Sequence, residues 1–199
     1  LFNNSDFNIV NFKSPLVKNY EKPNSRWLLY GKHEYVKGLV EANINIVGIA
    51  GNHMGDAGEN GLIETIEILN RNNIKTIGAG KNKKEAYKCL IETKNDITFG
   101  FLSFNNVYGS ISKATENKTG IAWLDDDALN TINNCKNSVD QLITLVNWGI
   151  EYVHEPREKE QNLAKLMSEN GANIILGDQA HWVQNHEKFN NTHISYGLG

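Results

Sequence analysis

The chain has 199 residues, of which 40% are hydrophobic and 22% are charged, a composition typical of one globular domain with a sizeable core. The formal net charge of −3 and the pI near 6.1 exclude the strongly basic surface by which most nucleic-acid-binding proteins hold their ligand. No run of apolar residues approaches the roughly 18 needed to span a membrane, and no signal peptide is visible. Because the chain starts at Leu1 rather than Met, we expect that the true N-terminus has been lost, together with a signal or membrane anchor.

Apolar strands, polar loops and amphipathic helices alternate along the chain. We predict strands at residues 7–12, 44–50, 76–79, 97–104, 141–146, 173–176 and 194–198, and helices at 31–42, 58–72, 82–89, 125–135 and 158–170. Residues 105–122 lack periodicity and are predicted to form a surface loop. The alternation predicts a layered α/β fold, and the absence of linkers and repeats predicts one domain over residues 1–199, incomplete at both ends.

Three polar clusters directly follow predicted buried strands. They are Asn52 and His53, the segment 147–151, and the pair Gln179 and His181. Ligands of layered α/β folds bind outside the carboxyl ends of the strands, so these clusters are expected to converge on one site. Taken alone, Gly51-Asn52-His53 is more typical of a simple turn than of a ligand site.

Two carboxylates near these clusters and two cysteines allow more than one interpretation. Asp56 is predicted to close a turn or to cap the following helix. Asp178 is either a solvated loop carboxylate or a group that orients a metal ligand. Cys89 and Cys135 show no metal-ligand spacing, and the sequence leaves open whether they pair or remain buried thiols.

Several motifs in order and spacing resemble the CapA-like family of capsule-synthesis proteins, which has the calcineurin-like metallophosphatase fold. The residues that carry the resemblance are Asn11 to Leu16, the segment Ile49 to Gly58 with its Gly-Asn-His-x-x-Asp core, Gly61 to Thr65, Gly78-Ala79-Gly80, Asn147-Trp148-Gly149-Ile150-Glu151-Tyr152, Gly171 to His181, and Tyr196 to Gly199. This resemblance covers nearly the whole chain. It implies an α/β sandwich with two central mixed sheets flanked by helices.

The resemblance also implies a divalent-metal site of one or two ions, with Mn, Mg, Fe or Zn as candidates. By position, the metal ligands would be Asn52, Asn147, Gln179 and His181. His53 would be the catalytic residue, acting as a proton donor or as a stabiliser of developing negative charge. Asn11, Lys13, Glu151 and Asp178 would support the metal ligands or bind substrate.

Three positions depart from the family motifs. Asn147 and Gln179 stand where the motifs have His, and Lys13 stands where the motif has Glu. Neutral amides are weaker ligands than imidazoles for borderline metals. The ammonium group of Lys13 would oppose a nearby cation, or bind an oxyanion in its place.

The resemblance implies a bacterial protein of capsule or poly-γ-glutamate synthesis or export, acting as a metal-dependent hydrolase on phosphoesters or an acidic polymer. Its partners would be an anionic polymer or a phosphate-bearing small molecule and membrane-associated capsule synthesis proteins, with no nucleic acid. The location would be extracytoplasmic, with a cytoplasmic location as the alternative. The alternative functions are a non-catalytic binding component with a degenerate site, and a stand-alone metallophosphatase of unrelated biology.

Overall fold

The computed structural model describes residues 4–199, and the chain divides into two compact units. The first unit comprises the chain up to Ala86 together with Tyr108–Ala122, and the second comprises Tyr87–Val107 with Trp123–Gly199. The prediction of a single domain over residues 1–199 stays a prediction.

Thirteen strands and five α-helices are found among the described residues. In chain order they are β1 (Ile9–Asn11), β2 (Leu16–Val17), β3 (Gly31–Lys32), α1 (Val36–Glu41), β4 (Ile46–Gly48), α2 (Gly58–Arg71), β5 (Lys75–Ile77), β6 (Ala79–Gly80), α3 (Lys83–Ala86), β7 (Leu90–Lys94), β8 (Ile97–Asn105), β9 (Gly120–Ile121), α4 (Asp126–Lys136), β10 (Gln141–Asn147), α5 (Glu158–Glu169), β11 (Ile174–Asp178), β12 (His186–Phe189) and β13 (Thr192–Ser195). A 3₁₀ helix (His33–Tyr35) precedes α1. Among these residues no helix is long and apolar enough to cross a membrane.

The first unit is organised around a three-stranded parallel sheet with the order β1-β4-β5. The central strand β4 is buried along its whole length, as the nearly continuous apolar run predicts. Asn11 at the end of β1 lies opposite Gly48 at the end of β4. The segments that follow these strands therefore leave the sheet at the same edge, and they carry Lys13 and the Gly51-Asn52-His53 turn.

Helix α2 packs its apolar face into the same unit through Leu62 and Leu69, both fully buried. Thr65 is also fully buried, and its hydroxyl donates to the carbonyl of Gly61 at 2.6 Å. The same oxygen accepts the N–H of Leu16 on β2 at 2.8 Å. This hydroxyl satisfies a backbone donor of a short strand, and it thereby fixes β2 against the helix.

The second unit contains a six-stranded mixed sheet with the order β12-β13-β11-β10-β8-β7. The four inner strands are parallel to one another, while β7 and β12 are antiparallel edge strands. Asp125 caps the N-terminus of helix α4, and its carboxylate accepts the N–H groups of Asp127 and Ala128, as expected for an acidic helix start. The parallel arrangement brings the ends of β8, β10 and β11 to one edge.

Most predicted elements are present, and the differences have local causes. Residues 31–42 form a short strand, a 3₁₀ turn and only six α-helical residues, so the predicted helix over this whole range is wrong. Strand β7 was not predicted, and it pairs with β8 in antiparallel fashion. Asn95 and Asp96 connect the two strands and have φ angles of 50° and 62°. This pair of left-handed residues matches the type I′ hairpin turn, which Asn and Asp tolerate.

The predicted surface loop 105–122 has more structure than expected. Asn105 ends β8, and β9 pairs with β6 in antiparallel fashion. Ile111 and Ala114 are buried. The prediction of a surface loop is therefore wrong for these parts of the segment.

Cys89 and Cys135 form a disulfide bond within the second unit. Their pairing closes a loop across a sequence separation of 46 residues. Gly100 on β8 provides the space, because a Cβ at this position would lie 2.8 Å from the sulfur of Cys135 and 3.2 Å from that of Cys89. The sequence left this pairing open. The disulfide connects Cys89, the residue just before β7, to Cys135 on helix α4.

Reduction of the disulfide is expected to lower the free energy of unfolding by about 2–4 kcal/mol, because the unfolded chain loses a constraint on a long loop. Urea unfolding with and without dithiothreitol measures this difference. The double variant Cys89→Ser/Cys135→Ser is the control and should be insensitive to the reductant. Two free thiols in the unreduced, denatured protein would contradict the pairing.

Candidate functional site

The Gly51-Asn52-His53 turn follows β4 in the first unit. Gly51 lies close to the segment around Lys13. A Cβ on Gly51 would lie 3.0 Å from the Cα of Lys13. A side chain at position 51 would require the Lys13 segment to move by a few tenths of an ångström, so glycine favours this close approach. Asn52 is 8% exposed, and Met54 is fully buried with its N–H donated to the carbonyl of Gly51 at 3.2 Å.

His53 and Asp56 form a hydrogen-bonded pair. His53 Nδ1 lies 2.7 Å from Asp56 Oδ2. The Asp56 side chain is 2% exposed, whereas that of His53 is 29% exposed. The same carboxylate oxygen accepts the N–H of Leu29 at 2.7 Å. With Asp56 ionised, Nδ1 carries a proton, and Nε2 is the ring nitrogen left to meet a ligand.

Asp56 lies in a turn, one of the two structures predicted for it, and its N–H donates to the carbonyl of His53 at 3.0 Å. The residue at the N-terminus of α2 is Ala57, and no side chain caps the helix there. Asp56 instead orients the imidazole three residues before it, so its predicted role as a helix cap is wrong. The Gly-Asn-His-x-x-Asp spacing was the available signal, because one helical turn separates residues at i and i+3.

The second unit has a row of polar side chains at one edge of its sheet. Asn105 on β8, Asn147 on β10 and Asp178 on β11 are neighbours in register. Asn147 Nδ2 donates to Asn105 Oδ1 at 2.7 Å, and both residues are buried. This bond fixes the orientation of the Asn147 amide. Asn105 was not predicted as a site residue, although it ends a buried strand just as Asn147 does.

Two loops next to this row are joined by several contacts. Gln179, 5% exposed, donates its amide to Glu151 Oε1 at 3.0 Å. Tyr152 donates its backbone N–H to the carbonyl of Ala180 at 2.7 Å, and its ring meets that of His181 edge-on at 5.4 Å. The loops after β10 and β11 are therefore built as one structure.

Three non-glycine residues of these two loops have left-handed backbone conformations. The φ angles of Tyr152, Gln179 and His181 are 62°, 92° and 50°. Left-handed conformations of non-glycine residues cost free energy, and they persist where the surrounding contacts impose them. Such strain is often found at functional sites, which favours this edge as a ligand-binding region.

Trp148 packs next to the same edge of the sheet. Its indole nitrogen donates to the carbonyl of Tyr196 at 2.9 Å, and the two rings are stacked. A Cβ at Gly177 would lie 2.3 Å from the indole nitrogen, so this position requires a glycine. Burial, reinforced by a hydrogen bond from the Tyr196 hydroxyl to Glu187 at 2.7 Å, raises the pKa of Tyr196 above its ordinary value.

The donor atoms in the second unit fit a hard divalent ion better than a borderline one. The Oδ1 atoms of Asn147 and Asp178 are both buried, and these residues are opposite each other in the β10–β11 ladder. Oxygen donors suit Mg²⁺ and Mn²⁺, whereas Zn²⁺ prefers nitrogen and sulfur. No group of three or more His, Cys, Asp or Glu side chains among residues 4–199 has a metal-binding arrangement.

The predicted site residues are divided between the two units. The first unit contains Asn11, Lys13, Asn52 and His53, and the second contains Asn147, Glu151, Asp178, Gln179 and His181. Contacts join Lys13 to the His53 turn, Asn147 to Asp178, and Gln179 to Glu151. The individual roles assigned to these residues stay predictions.

Sequence comparison finds relatives over the full length of the chain. The profile of the family described as "Bacterial capsule synthesis protein PGA_cap" matches residues 1–199. The PGA biosynthesis protein CapA of Bacillus subtilis (strain 168) is 32% identical over 203 residues, covering 100% of this chain and 53% of the relative. The capsule biosynthesis protein CapA of Bacillus anthracis is 30% identical, covering 98% of this chain and 50% of the relative. The chain thus spans about half the length of these curated relatives.

Structural comparison finds more distant neighbours. The NAD nucleotidase NadN of Haemophilus influenzae has a TM-score of 0.57 at 16% sequence identity, covering 83% of this chain and 36% of the neighbour. A hypothetical protein from Thermus thermophilus has a TM-score of 0.56 at 12% identity, covering 83% of this chain and 57% of the neighbour. At such identities the likeness concerns the fold alone. The predicted α/β fold class of the metallophosphatase type, with sheets flanked by helices, is confirmed.

Replacement of Asp56 by Ala is expected to lower the free energy of unfolding by about 2 kcal/mol. The change removes a buried acceptor and leaves the Leu29 N–H and His53 Nδ1 without it. Urea unfolding measures the effect. Glu67→Ala on α2, where the carboxylate side chain is 43% exposed, is the control and should change stability by no more than about 0.5 kcal/mol. Equal effects of the two substitutions would show that Asp56 is not a structural partner of His53.

Proposed function

The chain belongs to the bacterial capsule synthesis protein family, and from this membership we propose that it assists the synthesis or export of an anionic capsule polymer by metal-dependent hydrolysis. The proposed substrate is a phosphoester or an acidic polymer such as poly-γ-glutamate. The names of the two Bacillus relatives support the polymer, since one is a PGA biosynthesis protein and the other a capsule biosynthesis protein.

The observation that carries the hydrolytic proposal is the His53–Asp56 pair. Its Nδ1–Oδ2 distance of 2.7 Å and the burial of Asp56 give the imidazole one fixed orientation. In its imidazolium form, His53 donates the proton on Nε2 to the oxygen or nitrogen of the departing group. Asp56 stabilises the cation before the transfer and keeps Nδ1 protonated after it, so that the neutral imidazole can take up another proton from water.

Lys13 and Asn52 suit this part of the first unit to an anionic substrate. The backbone of Lys13 lies against Gly51, two residues before His53. An ammonium group and an imidazolium both stabilise negative charge that develops on oxygen. Asn11 at the end of β1 and the Asn52 amide add uncharged donors and acceptors at the same sheet edge.

A divalent ion, when bound, would neutralise substrate charge and lower the pKa of a bound water. Asn147 and Asp178 have buried oxygens that suit such an ion. We propose His181 and Gln179 as further ligands, with Glu151 orienting the Gln179 amide. We propose Mn²⁺ or Mg²⁺ as the ion, in preference to Fe²⁺ or Zn²⁺, because the donors are mainly oxygens.

A non-catalytic binding role is the second candidate, and a specific observation favours it. The amide nitrogens of Asn147 and Gln179 donate to Asn105 and Glu151, so both amides take part in an internal hydrogen-bond network. Such a network can hold a loop surface in shape for an acidic polymer without any metal. On this account the protein would be a binding component of a membrane-associated synthesis complex.

We further propose an extracytoplasmic location, close to membrane-associated capsule synthesis proteins. The Cys89–Cys135 disulfide supports it, because disulfides persist in oxidising compartments and are rare in the reducing cytoplasm. The membership of the family supports the same location through the biology of capsules, which lie outside the cell.

The substitution His53→Gln is expected to lower kcat for phosphoester hydrolysis by about 10²- to 10⁴-fold, because the general acid is lost. Bis-p-nitrophenyl phosphate and poly-γ-glutamate, each with Mn²⁺ or Mg²⁺, are the substrates for the assay. His193→Gln, an exposed histidine on β13, is the matched control and should keep wild-type activity. Turnover that is unchanged in His53→Gln, or wild-type protein inactive on both substrates with either ion, would contradict the hydrolytic proposal.

Metal binding is expected at about one Mn²⁺ per chain, and Asp178→Asn should weaken it at least tenfold because the site loses its buried carboxylate. Equilibrium dialysis followed by elemental analysis measures both values. Glu169→Gln, on the exposed side of α5, is the control and should bind as the wild type does. No binding at millimolar Mn²⁺ or Mg²⁺ would contradict the metal proposal and favour the non-catalytic role.

A further inference from the structure

One hydroxyl group connects both ends of the turn that carries His53. Ser110 Oγ accepts the N–H of Gly55 at 3.1 Å and lies 3.2 Å from the carbonyl oxygen of Asn52, to which it donates. The N–H of Ser110 donates to the same carbonyl at 2.9 Å. Ser110 thus has three hydrogen bonds to the residues on either side of His53, although it lies more than fifty positions away in sequence.

The carbonyl group of Asn52 is a sensitive point in this turn. It belongs to the planar peptide that joins Asn52 to His53, so its orientation sets the direction in which both side chains leave the backbone. Two donors from one residue hold this peptide plane. Rotation of the plane would move the His53 ring relative to Asp56.

Two glycines allow the Ser110 segment (Gly109, Ser110 and Ile111) to come this close. A Cβ on Gly109 would lie 2.0 Å from the carbonyl oxygen of Asn52. A Cβ on Gly55 would lie 2.5 Å from the carbonyl oxygen of Ser110 and 2.7 Å from Cβ of Ile111. Neither position accepts a side chain without displacing backbone, so the contact depends on glycine on both sides.

The chain after the Ser110 segment is fixed within the same unit. Ile111 is 8% exposed, and β9 pairs with β6 in the register Ala79↔Ile121 and Gly80↔Gly120. Lys83 donates its N–H to the carbonyl of Thr115 at 2.8 Å. These anchors hold the segment in place, so the hydroxyl of Ser110 acts from a fixed frame.

We infer that Ser110 is a positioning residue for His53. It acts through the Asn52–His53 peptide and the Gly55 N–H, and it does not itself touch the reacting atoms. This inference rests on the proposed function, in which His53 is the proton donor. Its chemical requirement is a hydroxyl that donates in one direction and accepts from the other, which Thr also provides and Ala does not.

The test compares Ser110→Ala, Ser110→Thr and the control Ser112→Ala, an exposed serine two positions further along. In Ser110→Ala the amide hydrogen of Gly55 should exchange about tenfold faster, since it loses its acceptor. With bis-p-nitrophenyl phosphate and Mn²⁺, kcat should fall about tenfold with little change in KM, because the donor is misplaced while binding groups remain. Ser110→Thr should restore both values, and Ser112→Ala should match the wild type in both.

Two results would overturn the inference while the proposed function stands. One is an active wild-type enzyme whose kcat is unchanged in Ser110→Ala. The other is equal loss of kcat in Ser110→Ala and Ser110→Thr, which would show that the hydroxyl is not the responsible group. If the wild-type protein is inactive, the proposed function fails. Gly55 exchange that is faster in Ser110→Ala alone would then support the connection between Ser110 and the turn, and unchanged exchange would overturn it.

Discussion

The hydrogen bond between His53 and Asp56 is the interaction around which the first unit's strand edge is organised. It requires a carboxylate withdrawn from water, and the cost of that burial is offset by donors: His53 Nδ1 and the N–H of Leu29 both bind the same oxygen. The turn itself depends on Gly51, which lets the Lys13 segment approach, and on Ser110, which holds the peptide between Asn52 and His53. A partly exposed imidazole with one fixed nitrogen is the result.

The second unit uses a different kind of chemistry at its sheet edge. Its row of Asn105, Asn147 and Asp178 contains two neutral amides and one carboxylate. Amides can both donate and accept, so the row satisfies itself internally through the Asn147–Asn105 bond and still has buried oxygens. An ion bound by such groups would be held by fewer charges than one bound by imidazoles and carboxylates. The proposed preference for Mn²⁺ or Mg²⁺ and the non-catalytic alternative both follow from this composition.

Much of the fold could be predicted from hydrophobic patterning. The buried run ending at Gly48 and the acidic start of α4 were assigned correctly, because each element has a strong local signal. The range 31–42 was not, because its helical pattern is short and a strand pairing with β2 takes its first two residues. The polar edge strands β7 and β12 also lack a continuous apolar pattern. Their hairpin turns at Asn95-Asp96 and Asn190 were the only local signals.

For the candidate site, the sequence identified residues that follow buried strands and the supporting residue Glu151, which binds Gln179, but the residues that hold His53 were missed. His53 was found because it lies next to a strand end, whereas Asp56 was predicted to close a turn or to cap a helix, and its bond to His53 was not foreseen. Ser110 contacts the turn from a segment without periodicity, so no pattern could connect the two.

The central claim is that Asp56 holds His53 protonated at Nδ1 with Nε2 directed to the ligand. Long-range ¹H–¹⁵N NMR of the His53 ring tests this most directly. The account predicts a protonated, hydrogen-bonded Nδ1 that loses its signal in Asp56→Asn, and an Nε2 resonance that shifts on addition of inorganic phosphate. A neutral ring protonated at Nε2 alone, unaffected by Asp56→Asn, would contradict it.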